Sequence, residues 1–185
     1  NNALNLSRIT DDKGNTLQAA RNQADHSIRV TLAGVAPKNQ PLTLTFAYDG
    51  RLTGAEESPI YGIKFAAIQP DFSFLLYPAR WFPVSGYTAD RFTTTLNITV
   101  PDGFSVLGSG NDTVKPGANG DKVYSFAFTK PSFPGDIAVV KGAATKNSTD
   151  GITTSLWFRG ADTNMANAYG AATAQIVGHF TDLFG

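Results

Sequence analysis

A chain of 185 residues with 15 Lys and Arg against 15 Asp and Glu carries no formal net charge. Its basic residues are scattered without a run, so neither a phosphate-tracking stripe nor a patch for anionic lipid is written into it. The chain has no Cys, which excludes disulfides, thiolate metal sites and thiol redox chemistry.

The missing Cys leaves the compartment open, and the reading leans to a periplasmic or secreted setting. Asn1 to Asn5 lack the pattern of a signal peptide, and no stretch is apolar for long enough to cross a bilayer as a helix. The length suits one domain with a real core.

In chain order, Leu4, Leu6 and Ile9 alternate loosely and predict a short edge strand, closed by the turn cluster Asp11, Asp12, Lys13, Gly14 and Asn15. Ile28, Val30 and Leu32 alternate more cleanly up to Gly34 and Pro37. Leu42, Leu44, Phe46 and Tyr48 repeat the pattern up to Asp49 and Gly50, and the two strands are expected to be antiparallel neighbours. Ile60 to Ile68 is partly apolar, and Phe72 to Tyr77, held between Pro70 and Pro78, is a nearly continuous apolar run that predicts burial on both faces.

From Arg91 to Val100, apolar Phe92, Leu96, Ile98 and Val100 alternate with polar residues, the period of a strand with one buried face. Pro101, Asp102 and Gly103 stop it, and Phe104, Val106 and Leu107 resume before Gly108, Ser109 and Gly110, which predicts a hairpin or a meander corner. Asn111 to Lys122 reads as a loop or ragged hairpin tip with Asn119-Gly120 as a tight turn, followed by a strand over Val123 to Thr129. After Lys130 to Asp136, rich in Pro and Gly, Ile137 to Ala143 is apolar, Asn147 to Gly151 turns, and Thr153 to Phe158 offers another strand. Strands at this spacing predict a mainly β chain, an antiparallel β-sandwich or a saddle-like double sheet.

The end differs. From Asp162, residues Met165, Ala168, Tyr169, Ala172, Ile176, Phe180 and Leu183 recur at three and four, the period of an amphipathic helix with Asp162 or Thr163 as N-cap. Met165, Tyr169, Ala172, Ile176, Phe180 and Leu183 make a continuous apolar face, and the rest of the domain is expected to leave part of it uncovered.

Taken together, Ala79, Arg80, Trp81 and Pro83, then Pro101 and Gly103, then Gly110, follow the order of a segment in the N-terminal domain of the aminopeptidase N family of zinc metallopeptidases. There, Ala-Arg with a Trp or Phe and a Pro precedes a strand, a Pro-x-Gly turn and a small-residue turn. The likeness runs on through Phe126, Phe128, Pro131, Ile137 to Val140 and Gly142, and reaches Leu183, Phe184 and Gly185, where the family crosses into its catalytic domain. Val84 to Tyr87 stand where the family has Cys-x-Asp-x-Pro, and Phe133 to Asp136 where it has Ser-Thr-Tyr-Leu.

The resemblance implies a β domain over residues 1–160, lacking its opening strands, and a helix over 161–185 leading toward a catalytic domain outside this sequence. It implies a function of shaping the cleft and positioning the peptide N-terminus, with bond cleavage left to that catalytic domain. Gln69 lies upstream of Ala79 and Arg80, roughly where several members hold a Gln near the substrate amine. Arg80, Trp81 and Pro83 are read as a domain-interface or core anchor.

The residues are consistent with a non-catalytic part. A zinc peptidase of this type needs two imidazoles one helical turn apart with a Glu between them. Here the only histidines are His26 and His179, in different elements, and the only glutamates are the adjacent Glu56 and Glu57. No cofactor is expected in this chain, and zinc is expected in the parent's catalytic domain. The partners expected are that catalytic domain, the parent's peptide substrate and, through the terminal helix, a weakly bound second copy, with no nucleic acid and no membrane segment.

A rival reading comes from the crowding of Phe72, Phe74, Tyr77, Trp81, Phe82, Tyr87 and Phe92 into one region. Such a cluster suits a stacking platform in a free-standing β-sandwich that binds carbohydrate or peptide.

Overall fold

A computed structural model describes residues 1–53, 64–86, 90–158 and 163–185. Its elements are β1 (Leu4–Thr10), β2 (Gln18–Asn22), β3 (Ser27–Thr31), β4 (Thr45–Gly50), β5 (Ala66–Ile68), β6 (Phe72–Leu75), β7 (Phe92–Val100), β8 (Phe104–Gly108), β9 (Asn111–Pro116), β10 (Lys122–Ser132), β11 (Ile137–Lys141), β12 (Thr145–Thr149), β13 (Ile152–Leu156) and α1 (Thr163–Phe184). The chain is therefore mainly β with one C-terminal helix, and every strand pair is antiparallel.

The centre is a β-sandwich. Strands β5, β6, β11 and β8 make one sheet in that order, and β7, β10 and β9 the other. Val100 and Phe126 from the second sheet meet Val106 and Ile137 from the first in one buried cluster, with Leu75, Trp81, Leu96, Ile98 and Tyr124 packed around it. Strand β7 alternates half-buried and exposed residues along its whole length and ends on buried Val100, as its two-residue period predicts.

The turn after β7 departs from a hairpin. β8 pairs with β11 and not with β7, so Pro101 to Gly103 carries the chain across the core from one sheet to the other. Strand β10 ties this arch down, because the Tyr124 hydroxyl donates to the Phe104 carbonyl at 3.1 Å and the Lys122 ammonium meets the Asp102 carboxylate at 2.7 Å.

Several expectations are corrected. The strand around Ile28 does not pair with the one around Phe46; β3 pairs with β2, and β4 with β1. The physical reason is local. The Asp25 carboxylate accepts from the Ser27 backbone N–H and from the Asn22 side-chain amide, both at 2.9 Å, which closes a tight turn between β2 and β3. β6 lies between β5 and β11, yet its residues are only half-buried and Leu76 is 45% exposed, so the apolar run is flanked at both edges without being covered on both faces. The segment read as a loop after Gly110 is β9, an edge strand exposed at every residue. The turn placed over Asn147 to Gly151 is mostly strand, with Asp150 and Gly151 as the two residues joining β12 to β13.

Helix α1 packs on the β12–β13 hairpin through small residues. Ala166, Gly170 and Ala174 are its buried positions, four residues apart on one side. A Cβ on Gly170 would lie 2.8 Å from Asn147 Cβ and 2.9 Å from Thr154 Oγ1, so only glycine permits this approach. The N-cap expected at Asp162 and the pair Glu56 and Glu57 fall outside the described residues.

Candidate docking site

Two regions combine exposure with unusual chemistry. The first is the corner that leads into β7. Pro78 to Arg80 form a single 3-10 turn, with Pro78 at its start where a missing N–H costs nothing. This turn aims Trp81 at the sandwich edge, where it packs against the core and its indole N–H donates to the Gly135 carbonyl at 3.1 Å.

From Trp81 the rings run outward edge to face. Phe82 meets Trp81 at 4.7 Å, Phe92 meets Phe82 at 6.1 Å, and Phe133 meets Phe92 at 6.3 Å. The Arg91 guanidinium caps the row, 4.6 Å above the Phe133 ring. Beside the row is a cleft of about 570 Å³ lined by Phe82, Pro83, Val84, Ser85, Asp90, Arg91 and Phe92. Pro83 is exposed and belongs to the wall of this cleft, outside the core that Trp81 joins. Tyr87, read into the same cluster, falls outside the described residues.

Gln69 and Arg80 sit elsewhere. Gln69 occupies the turn between β5 and β6, where its side-chain amide donates to the Thr53 carbonyl at 3.1 Å and its backbone N–H to the Phe72 carbonyl at 3.0 Å. Arg80 is half-buried. The structure thus keeps Arg80 and Trp81 adjacent in one turn but does not bring Gln69 into the aromatic row.

The second region is the outer face of α1. Tyr169, Ile176, Phe180 and Leu183 are 59%, 57%, 52% and 59% exposed, Phe184 more so, and Met165 and Val177 join them. Phe158, just beyond β13, extends the surface by an edge contact with Tyr169 at 5.8 Å. The helix contains no Lys, Arg or Glu, and apart from the Tyr169 phenol its ionisable side chains are His179 and Asp182. Exposed apolar side chains gathered along one helix face, almost free of charge, are the mark of an interaction face.

Among the described residues no three His, Cys, Asp or Glu side chains gather as metal ligands would. His26 occupies the turn between β2 and β3, and His179 lies on α1 with its ring 5.7 Å from Phe180. Among the described helices none is long and apolar enough to cross a membrane.

No protein-family model matches this chain, and no curated protein does. Its function is therefore argued from its own surfaces.

Proposed function

We propose that this chain is the non-catalytic N-terminal β domain of an aminopeptidase N-like zinc metallopeptidase, which docks on the catalytic domain and shapes the cleft that receives the peptide N-terminus. The observation that carries the proposal is the uncovered face of α1. A helix that buries only Ala166, Gly170 and Ala174 while presenting Tyr169, Ile176, Phe180 and Leu183 to water is built to be covered from its other side. In this reading the catalytic domain covers it, carries the zinc and cleaves the peptide.

Trp81 and Arg80 brace the corner that faces the cleft. With the Gln69 amide nitrogen bound to Thr53, the carboxamide oxygen is the atom suited to accept from a substrate ammonium. A second reading, a free-standing module for carbohydrate or peptide, is favoured by the cleft beside Phe82 and Phe92. Against it, Trp81 spends its N–H on Gly135 and its face on the core, and the Phe133 ring carries Arg91, so the flat stacking platform such a module uses is already occupied.

Sequencing the gene on both sides of these residues tests the proposal. A His-Glu-x-x-His pair with a downstream Glu in the same reading frame after Gly185, and aminoacyl hydrolysis by the longer protein but not by this chain, is the expected result. A stop codon or an unrelated domain there overturns it.

A further inference from the structure

Strands β12 and β13 and helix α1 pack on one another and only marginally on any other described element. The burial pattern gives the same picture. Lys146, Ser148, Thr153 and Ser155 on the outer side of the hairpin are exposed, and so is the outer side of α1. What lies between is thin: Asn147, Ile152 and Thr154 against Ala166, Gly170, Ala174 and Gly178. A layer pair with water on both outer faces and mostly small side chains inside buries too little apolar surface to be firmly stable by itself.

The base of this unit holds a second signal. The Trp157 indole nitrogen is shielded from solvent and has no hydrogen-bond partner among the described residues. A buried donor without an acceptor is destabilising, and opening the base returns it to water. On the other side, Gly142 and Ala143 lie in the link from β11 to β12 and are exposed; a Cβ on Gly142 would meet open space, and its N–H donates to the Gly103 carbonyl at 3.1 Å, so the link is free only beyond that bond.

We infer that β12, β13 and α1 form an arm that opens and refolds as a unit apart from the sandwich.

The chain holds only two tryptophans, Trp81 in the sandwich and Trp157 at the base of the arm, so each unit carries its own fluorophore. Urea unfolding of Trp157→Phe, which reports the sandwich, and of Trp81→Phe, which reports the arm, is expected to give separate midpoints with the arm first. Coincident midpoints overturn the inference. Amide exchange on the unsubstituted chain gives an independent reading, since α1 amides are expected to exchange on the order of 100-fold faster than those of β7 and β10. Gly170→Val, which drives a side chain into Asn147, is expected to abolish protection in α1 and leave β7 and β10 unchanged; equal loss in both overturns the arm as a separate unit.

Discussion

The Trp81 indole nitrogen donates to the Gly135 carbonyl at 3.1 Å across 54 residues of sequence, pinning the turn before β7 to the segment between β10 and β11. The bond holds the edge of the sandwich on which Trp81 packs. It also brings Gly135 against the aromatic row, where Phe82, the next ring, lies beside both Trp81 and Gly135.

Trp81→Ala is expected to destabilise the chain by about 3 kcal/mol, the lower end of the range for large aromatic truncations because the ring is only partly buried. Trp81→Phe retains most of the packing and loses the hydrogen bond, worth roughly 1 kcal/mol. Urea denaturation followed by circular dichroism ranks the two. An unchanged midpoint for Trp81→Ala would show that the ring serves a ligand and not the fold.

Gly135→Ala is expected to cost about 1–3 kcal/mol. Gly135 has φ +128°, where a side chain is strained, and its Cβ would lie 2.8 Å from the Phe82 ring. The Phe82→Leu background removes part of the clash but none of the strain. A double-mutant cycle by denaturation separates the two, and a cost that vanishes entirely in that background would assign everything to the ring.

Much of this fold is legible where burial imposes a period. Strand β7 and helix α1 announce themselves, the first by alternation from Phe92 to Val100 and the second by apolar residues at three and four. What escapes is structure without a buried face. β9 is exposed at all six residues and β2 at all but one, so neither leaves a hydrophobic pattern, and each is held by ladder bonds to a neighbour.

The pairing of β1 with β4 is nonlocal and nothing between Thr10 and Thr45 encodes it. For α1, the apolar stripe is readable, but the packed side is the seam of Ala166, Gly170 and Ala174, where close approach replaces side-chain volume. In the site, Trp81 is conspicuous as a residue; its acceptor at Gly135 and the guanidinium over Phe133 are not, because each joins distant segments.

Asp136 follows Gly135, and partial burial pushes its carboxyl above the ordinary value of 3.8. For an acid with a raised folded pKa, the charged form is disfavoured in the fold. Below pH 3.8 the group is largely protonated in both states and contributes little; as pH rises through 3.8 and the folded value, ionisation costs stability, and above both the cost is fully present. Asp136→Asn is therefore expected to raise the melting temperature at pH 7 and to leave it unchanged at pH 3. A melting temperature lowered by Asp136→Asn at pH 7 would reveal a favourable partner for the carboxylate.

The Asp102–Lys122 bridge at the arch gives the opposite sign in acid. The Lys122 side chain, through its hydrogen bond first, holds Asp102 below its ordinary value of 3.8, so the contribution is complete above 3.8 and is lost as pH falls through the folded value. Lys122 is in turn held above 10.5, so its share is complete below that value and disappears as pH rises through the folded one. The two side chains are 42% and 73% exposed, Lys122 and Asp102 in turn, which makes the effect small and salt-sensitive. Asp102→Asn and the parent chain are expected to converge in stability in strong acid and in high salt at any pH; a difference unaffected by salt would point to the backbone of the arch instead of the charge pair.

The outer face of α1 carries the last prediction. Exposed to water, the face is expected to recruit the nearest apolar surface, which in a purified sample is the same face of a second copy. Two such helices have no Lys, Arg or Glu to set against one another, so an isologous antiparallel pairing meets little charge repulsion. It would still be weak, because ordering the arm on contact consumes part of the gain. Light scattering over a concentration series is expected to show reversible dimerisation, and Phe180→Ser to weaken it about tenfold or more, the equivalent of roughly 1.5–3 kcal/mol for a buried Phe. His179→Ala on the same helix serves as the control and should change association far less. A chain that stays monomeric at every concentration, with α1 amides as protected as those of β10, would mean the helix needs no cover, and the docking reading would fall with it.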